Sequence, residues 1–186
     1  GALTMQLGGG IGYDFSTLRP RGSRARTTGT TASGPVSFLR AWDAMCDTVL
    51  STGARRGAMM ATLRCDHPDI LEFIDAKRMA GALPRFNLSV LVSDAFMRAL
   101  AENREWALVF PEGALAEPAT GQPRSVLRAW SGSTEEVPCR VHAVLAAREL
   151  WERIAQAAHA SAEPGVLFID RINAANNLGY CESLSA

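Results

Sequence analysis

The chain has 186 residues, of which 47% are hydrophobic and 20% are charged. That length suits a single domain of about 100–200 residues, and the composition excludes a disordered chain, a collagen-like fibre and a coiled coil. The 19 basic residues balance the 19 acidic ones, so no overall field favours nucleic acid or an anionic membrane.

Targeting and membrane signals are missing from the sequence. The longest apolar runs, at 88–92 and 165–169, are far shorter than the roughly 18 residues of a membrane span. Residues 1–7 lack the basic region and apolar core of a signal peptide. We therefore expect a cytoplasmic protein without a membrane segment.

Metal-binding spacing is also missing. No C-x-x-C pair and no tight Cys/His cluster occurs among Cys46, Cys65, Cys139, Cys181, His67, His142 and His159. Structural zinc sites need closely spaced ligand pairs, so we expect no metal site. Cys46 lies on an apolar helical face and is expected to be a buried, inert thiol.

The first third of the chain predicts a strand, a loop and a helix. Segment 7–16 is rich in glycine, which disfavours a helix and permits close approach to a ligand, so we expect a strand here. Residues 17–34 carry four arginines among small residues without periodicity, which predicts a long basic loop. Pro35 suits the first turn of a helix, whose apolar face predicts a helix over 35–51.

The middle of the chain predicts strands that alternate with helices. Residues 54–63 predict a loop that leads into a strand, and Asp66 is expected to cap the next helix. Residues 86–92 predict a strand by their β-branched content, and Ser93 is expected to cap the helix after it.

The last third predicts an excursion, a long helix and a final strand. The apolar runs 105–110 and 125–130 predict a hairpin or other excursion on the rim. A long helix follows, with an apolar face that includes Val144 and Trp151, and a breaker at 163–165 ends it. Residues 165–170 then predict a buried strand.

This alternation indicates an α/β layer or barrel with parallel strands, because each strand is a continuous apolar run between helices. Ligands in such folds bind at the carboxyl ends of the strands. The glycine-rich opening and the Arg55-Arg56-Gly57 segment are therefore the regions in which we expect binding.

Two basic features are candidates for anion binding. They are the arginines at 19–26 and the turn that contains Arg55 and Arg56. Guanidinium groups bind phosphate through paired hydrogen bonds, so together these features suit a nucleotide polyphosphate. A solvated loop remains the alternative for either feature alone. Neither a P-loop nor a complete dinucleotide-binding glycine motif occurs.

The order and spacing of six blocks resemble the adenosylcobalamin-dependent (class II) ribonucleotide reductases. The blocks are 9–23, 33–38, 55–60, 66–70, 86–90 and 163–173. The resemblance implies a ten-stranded α/β barrel built from two five-stranded halves, with 1–186 as a single partial domain from the first half. It further implies an effector loop at 17–34, a dimer helix at 35–51, a relay loop at 52–60 and a small β excursion on the rim at 104–138.

The same resemblance implies roles for particular residues. The strand end that meets the substrate ribonucleotide matches Phe15 and Ser16. The residues near effector phosphate would be Arg24 and Arg26. The loop that relays effector identity to the substrate base would comprise Arg55, Arg56, Gly57 and Ala58.

The activity that the resemblance implies is reduction of the ribose 2′-hydroxyl of a ribonucleoside diphosphate through a cobalamin-generated thiyl radical. A deoxynucleoside triphosphate effector, a thioredoxin-type reductant and a homodimeric assembly belong to this expectation. The family's Asn-Pro-Cys-Gly-Glu block is missing, and none of the cysteines matches a catalytic position. We therefore assign no catalytic residue, place the adenosylcobalamin site outside this segment, and expect the segment to be inactive alone.

Two alternatives stay open from the sequence. A non-catalytic module for nucleotide binding or dimerisation would contain the same residues. An iron-dependent (class I) reductase large subunit shares the barrel and the Gly-Ile-Gly strand, although blocks 33–38 and 66–70 favour the cobalamin type.

Overall fold

A computed structural model describes residues 2–7, 9–25, 27–48, 58–79, 81–116, 124–131, 133 and 135–185. Its helices are α1 (Ala2–Gln6), α2 (Pro35–Thr48), α3 (Ile70–Ile74), α4 (Asp94–Ala101), α5 (Ala147–Ser161) and α6 (Ile169–Ala174). Its strands are β1 (Gly10–Asp14), β2 (Ala58–Arg64), β3 (Phe86–Val92), β4 (Glu105–Pro111), β5 (Ser125–Ala129), β6 (Glu136–Ala146) and β7 (Gly165–Phe168). Short 3₁₀ helices follow β1 at Phe15–Thr17 and β4 at Glu112–Ala114. Within these ranges no helix combines the length and the apolar character that a membrane crossing requires.

Four strands form a parallel sheet in the order β1-β2-β3-β7. Parallel neighbours need a crossover connection, and helices lie between each strand and the next one in this sheet. The predicted α/β class with parallel strands is therefore confirmed. Because all four strands run the same way, the residues that follow them meet at one edge of the sheet.

The central strands of this sheet are buried. Three consecutive residues are buried in each: Ala61, Thr62 and Leu63 of β2, and Val90, Leu91 and Val92 of β3. Such continuous burial is typical of a parallel sheet that is covered on both faces. The main core also takes one fully buried side chain from each of four helices: Leu39, Phe73, Phe96 and Leu150. Burial of side chains of this size stabilises a fold by roughly 1.5–3 kcal/mol each.

Several predicted boundaries are confirmed. Ser93 caps α4, since its Oγ accepts a hydrogen bond from the Phe96 amide at 3.2 Å. Helix α5 ends at Ser161, just before the predicted breaker, and Ala162 follows it in the left-handed region with φ of 62°. Cys46 is buried, as its position on an apolar face predicts.

A second, antiparallel sheet has the order β4-β6-β5. The predicted excursion is therefore present as this sheet, which extends beyond the predicted 104–138 to Ala146. Strand β6 lies between the two runs that were expected to form a hairpin. A β-bulge between Leu108 and Val109 interrupts the pairing, and Leu108, Val109 and Phe110 are all buried. Leu108 belongs to the main core, whereas Phe110 packs with Trp130 in a second cluster. The bulge thus lets one strand contribute to both clusters.

The predicted start of the long helix is wrong. Val144 lies in β6, where it is 41% exposed, and α5 begins only at Ala147. The residues of β6 alternate, with Val137, Cys139 and Val141 on its more buried side, so the period of two that marks a strand is present in its sequence. Val144 also lies in phase with the apolar face of α5, and for this reason the pattern assigns it to the helix.

Two further predictions need correction. Asp66 does not cap a helix: α3 starts at Ile70, and Asp66 pairs with Arg64 instead. The predicted buried strand at 165–170 ends at Phe168, which is 43% exposed, and Ile169 begins α6.

Some predicted segments are only partly described. The opening strand covers Gly10–Asp14 of the predicted 7–16. The helix predicted over 35–51 is described as Pro35–Thr48, and the rest of that range lies outside the described residues. Of the proposed relay loop at 52–60, residues 52–57 also lie outside, while 58–60 belong to β2.

Candidate functional site

A cavity of about 380 Å³ lies where three of the parallel strands end. Arg64 and Asp66 from the end of β2, Ser93 after β3 and Asp170 after β7 line one side of it. The excursion lines another side, and residues 183–185 complete the wall. Small-molecule sites have volumes of about 300–1,000 Å³ and lie at this edge of parallel sheets, so the cavity is a candidate binding site.

The charged centre of this cavity is a two-pronged ion pair. Arg64 Nε and Nη2 donate to Asp66 Oδ1 and Oδ2 at 2.8 and 2.9 Å. The Asp66 side chain is 3% exposed, and Arg128 Nε lies 3.9 Å from its Oδ2. Burial lowers the pKa of Arg64, but the charge and hydrogen bonds of Asp66 outweigh it and leave that pKa raised. The guanidinium therefore stays charged although it is largely buried.

Aromatic rings hold the two arginines of this cavity in place. The Arg64 guanidinium carbon lies 4.6 Å from the centroid of the Trp130 ring, and that of Arg128 lies 5.5 Å from the Trp106 ring. Cation–π contacts of this kind stabilise by about 0.5–2 kcal/mol. Trp106 is itself anchored, because its indole N–H donates to the Cys65 carbonyl at 3.1 Å. The arginines are thus pre-oriented before any ligand binds.

The charge of the cavity wall is mixed. Glu136 and Asp170 line it together with the two arginines and Asp66. An arginine fork recognises phosphate or carboxylate, whereas a carboxylate accepts hydrogen bonds from hydroxyl groups. Because the Arg64 fork is already paired with Asp66, Arg128 is the cationic group of this wall that is left for an anionic ligand, and Glu136 and Asp170 can accept hydrogen bonds from ligand hydroxyls.

The predicted substrate residues, Phe15 and Ser16, form the turn after β1. The Phe15 ring is buried and lies 6.2 Å from the Phe86 ring, so this side chain belongs to the core. Ser16 is fully buried, and its Oγ accepts a hydrogen bond from the Arg64 amide at 3.0 Å. The structure therefore joins the end of β1 to the end of β2, next to the cavity.

The residues predicted for effector binding and for the relay loop are described only in part. Arg24 is exposed, and its carbonyl accepts a hydrogen bond from the Ala116 amide at 3.2 Å. Ala58 is the first residue of β2, opposite Gly10. The other four predicted residues lie outside the described part of the chain: Arg26, Arg55, Arg56 and Gly57.

A buried histidine joins the basic loop to the end of β2. His67 is fully buried, and its Nε2 lies 3.0 Å from the Leu18 carbonyl oxygen, which only accepts hydrogen bonds. Its Nδ1 accepts a hydrogen bond from the Asp69 amide at 3.0 Å. The ring is therefore neutral, with its proton on Nε2. Burial lowers the pKa of His67 to about 4, although the Leu18 hydrogen bond and the Asp66 charge partly oppose this shift.

Two buried cysteines are unreactive: Cys65 in the cavity wall and Cys139 in the cluster with Phe110 and Trp130. Burial, together with the Asp66 charge, raises the pKa of Cys65 to about 12 and that of Cys139 to about 11. Thiol chemistry requires the thiolate, so both groups stay protonated and inert near neutral pH. Among the described residues, no group of three or more His, Cys, Asp and Glu side chains has an arrangement that could hold a metal ion.

Sequence reasoning missed the cavity's own residues. Arg64 and Asp66 directly follow a predicted strand, and this position could have indicated a site. The contributions of Arg128 and Trp130 left no such signal, because β5 reaches the cavity only through the pairing of the excursion.

Comparison with known proteins gives the family. The family model described as "Ribonucleotide reductase, barrel domain" matches residues 1–184, so the chain belongs to the ribonucleotide reductase family. It is 45% identical over 176 residues to a vitamin B12-dependent ribonucleoside-diphosphate reductase of Mycobacterium tuberculosis (strain CDC 1551 / Oshkosh), covering 94% of this chain and 22% of that protein.

Two further relatives extend the comparison. A protein of Thermoplasma acidophilum, also named vitamin B12-dependent ribonucleoside-diphosphate reductase, is 37% identical over 186 residues, covering 98% of this chain and 21% of that protein. A ribonucleoside-diphosphate reductase large subunit of Dictyostelium discoideum is 33% identical over 184 residues, covering 95% of this chain and 21% of that protein. The chain thus spans about a fifth of the length of these curated relatives.

The buried ion pair generates a first prediction. Asp66→Ala should lower the free energy of unfolding by about 3–5 kcal/mol, because it leaves the Arg64 guanidinium buried without its partner. The double variant Asp66→Ala/Arg64→Met should be less destabilised than the single variant. Urea denaturation measures both. Glu102→Ala is the matched control, since the Glu102–Arg104 pair has the same 2.8 Å separation but is more than half exposed, and it should change stability by less than about 1 kcal/mol. An equal loss of unfolding free energy in Asp66→Ala and Glu102→Ala would contradict this account.

The neutral histidine generates a second prediction. His67 has a pKa of about 4 in the folded protein against 6.5 ordinarily, so the unfolded state binds more protons between these values. Stability should therefore fall as the pH decreases from 6.5 to 4, by up to about 1.4 kcal/mol per pH unit from this residue. In His67→Gln the amide can make both hydrogen bonds without titrating, so the slope should be shallower by that amount.

Urea denaturation across this pH range measures the slope. A wild-type slope in His67→Gln would show that His67 is not the titrating group.

Proposed function

We propose that this chain is a segment of a vitamin B12-dependent ribonucleoside-diphosphate reductase, which reduces the 2′-hydroxyl of the ribose. The observation that carries the proposal is the family match over residues 1–184, together with the cavity at the carboxyl ends of the parallel strands. Two relatives with this activity in their names align with at least 94% of the chain. A cytoplasmic location is part of the proposal, because nucleotide pools lie there.

The parent fold that we propose is a ten-stranded α/β barrel of two five-stranded halves, with this chain as part of the first half. The strand order supports it: β1, β2, β3 and β7 lie side by side in chain order, as successive strands of a singly wound barrel do. Strands β1 and β7 each pair on one side only within the described sheet. Barrel closure would satisfy their free edges.

We place substrate access at the end of β1 and the neighbouring cavity. Phe15 would contribute backbone groups, because its ring is in the core, and Ser16 would keep the strand end in register with Arg64. Arg128 of the cavity would orient the anionic part of the ribonucleoside diphosphate, because the Arg64 fork is already paired with Asp66. Its hydroxyls would meet the carboxylate side of the wall.

Effector binding belongs to the basic loops in this proposal. Arg24 and Arg26 would lie near the phosphates of a deoxynucleoside triphosphate, which guanidinium groups bind well. The relay to the substrate base would use Arg55, Arg56, Gly57 and Ala58. The exposure of Arg24 supports the first role, because its side chain is accessible to a ligand.

The proposed assembly is a homodimer formed through α2. Phe38 on this helix is 39% exposed, and its ring packs edge-on against Trp42 at 5.9 Å. A symmetric contact between two copies would bury this apolar surface. It would also bring the basic loop, which directly precedes α2, next to the interface.

Radical chemistry would come from the rest of the enzyme. Adenosylcobalamin supplies the initiating radical when it is bound, and we place its site and the catalytic cysteines outside this segment. A thioredoxin-type protein would restore the redox cysteines. Cys65 and Cys139 take no part, because their raised pKa values keep them protonated. This chain would bind and orient substrate and effector, and would be inactive alone.

The second candidate is an iron-dependent reductase large subunit. The Dictyostelium discoideum relative, whose name specifies a large subunit, aligns with 95% of the chain. The third is a non-catalytic module for nucleotide binding or dimerisation.

One assay separates these functions. The intact protein that contains this segment is incubated with a ribonucleoside diphosphate, adenosylcobalamin and a dithiol, without an iron-containing subunit. We expect the deoxyribonucleoside diphosphate as product. Product formation only after addition of an iron-containing small subunit would favour the second candidate. Nucleotide binding without any product would favour the third.

The relay role gives a third prediction. In the intact enzyme, Arg56→Ala should reduce the effector-induced change in substrate preference by about fivefold or more, since allosteric coupling of this kind is typically 1–3 kcal/mol. The free energy of unfolding should stay within about 0.5 kcal/mol of wild type. Arg98→Ala, at an exposed site on α4, is the control. An effector-induced change in substrate preference as large in Arg56→Ala as in wild type would refute the relay role.

A further inference from the structure

The basic loop at 17–34 is an arm whose two sides are hydrogen-bonded to each other. The Gly22 amide donates to the Ala32 carbonyl at 2.9 Å, and the Ala32 amide donates to the Ser23 carbonyl at 2.8 Å. Nearer the tip, the Ala25 amide donates to the Thr30 carbonyl at 2.9 Å. Because the two sides are linked, a change at the base of the arm moves the arm as one piece.

Both ends of this arm meet at one carboxylate oxygen. Asp69 Oδ2 accepts a hydrogen bond from the Arg21 amide at 2.8 Å, near the start of the arm. At the other end, Gly34 has φ of 83°, and a Cβ built there would lie 2.8 Å from the same oxygen and 2.9 Å from Arg21 Cβ. Only glycine fits this gap without strain. Asp69 therefore sets the spacing of the two ends.

The carboxylate of Asp69 is available to the arm because it does not cap its own helix. Asp69 occupies the position before α3, but no hydrogen bond from its side chain caps that helix. Its partner at Arg21 lies 48 positions earlier in the chain. The local role that an aspartate ordinarily has at this position is thus replaced by a tertiary one.

His67 connects Asp69 to the start of the arm through two hydrogen bonds. The His67 Nδ1 accepts from the Asp69 amide, while Nε2 donates to the Leu18 carbonyl at the start of the arm. Both hydrogen bonds are 3.0 Å long, and His67 is fully buried. Its ring also packs edge-on against Phe110 at 5.5 Å. The base of the arm therefore rests on the core of the excursion.

The excursion also holds the tip of the arm. Ala25 forms an isolated antiparallel bridge with Leu115, and the Ala116 amide donates to the Arg24 carbonyl. Leu115 is buried in the same small cluster as Phe110 and Trp130. A contact route therefore runs from the arm to Trp130, on which Arg64 of the cavity is stacked.

We propose that Asp69 is a positioning residue for effector response: it orients the arginine arm, so that effector binding changes the cavity through the contacts of the excursion. This inference rests on the proposed function, in which the arm binds a deoxynucleoside triphosphate. Asp69 acts through the arm and touches no reacting atom. His67 and Gly34 complete the joint.

The test compares Asp69→Ala with wild type in the intact protein. Loss of the hydrogen bond to a charged acceptor should raise the dissociation constant of a fluorescent deoxyadenosine triphosphate analogue about tenfold. Trypsin cleavage after Arg21 and Arg24, both exposed, should accelerate by a similar factor, about tenfold, as the arm detaches. Turnover without effector should stay within about twofold of wild type.

Three further variants separate positioning from general destabilisation. Asp69→Asn keeps an acceptor oxygen and should restore most of the effector affinity. Gly34→Ala leaves Asp69 intact but displaces the end of the arm, so it should reproduce the defect of Asp69→Ala. Glu72→Gln is the control, because it removes only the negative charge at the exposed 3.3 Å contact to Arg21 and should change every readout by less than about twofold.

The outcomes are distinguishable. Wild-type effector affinity and cleavage in Asp69→Ala and Gly34→Ala would overturn the proposal, as would an effector-free turnover that falls in step with effector affinity. If Asp69→Ala does not fold, Gly34→Ala and Asp69→Asn decide by the same readouts. A wild-type protein that neither binds the analogue nor reduces ribonucleotides would refute the proposed function instead, while the cleavage rates still test the position of the arm.

Discussion

The buried carboxylate of Asp66 is the constraint on which the rest of this structure depends. A charge removed from water to this extent is tolerated only when it is paired and hydrogen-bonded, and the Arg64 fork provides both. The pair sits in the turn that follows β2. From the same turn, the Asp66 carbonyl accepts a hydrogen bond from the Val109 amide at 2.7 Å, which ties the excursion to the parallel sheet. One short segment thus organises the sheet edge, the cavity and the excursion.

This organisation explains how the carboxyl ends of parallel strands can form a candidate binding site. Residues after parallel strands converge by topology, but convergence alone leaves long side chains free to move. Here the tryptophan rings restrain the arginines, and the bulge in β4 brings the small cluster beneath them. Side chains that are already ordered lose less conformational entropy when a ligand binds, so affinity is gained without additional contacts.

The arginine arm and the cavity are connected by packing contacts as well as by the chain. Residues of the arm contact the excursion at Leu115, and the excursion contacts Arg64 through Trp130. The arm is hydrogen-bonded along its length and is held at its base and near its tip, so we expect it to move as a unit.

The sequence by itself determined the alternation of strands and helices, the cap at Ser93, the break after α5 and the burial of Cys46. These features depend on periodicity, local capping and backbone preferences, which act within a few residues. The family resemblance also followed from the order of blocks along the chain. It supplied the proposed roles of Phe15, Ser16 and the arginines, which stay predictions.

The tertiary structure decided the rest. Strand β6 alternates in sequence, but Val144 also lies in phase with the apolar face of α5, and only the pairing with β4 shows that the strand continues to Ala146. Asp66 was assigned a local cap, yet it pairs with Arg64 and lies near Arg128, 62 positions away (128 − 66). Asp69 holds a loop 48 positions earlier in the chain. Such pairings depend on which strand ends the topology brings together, and the local pattern of residues contains no information about distant partners.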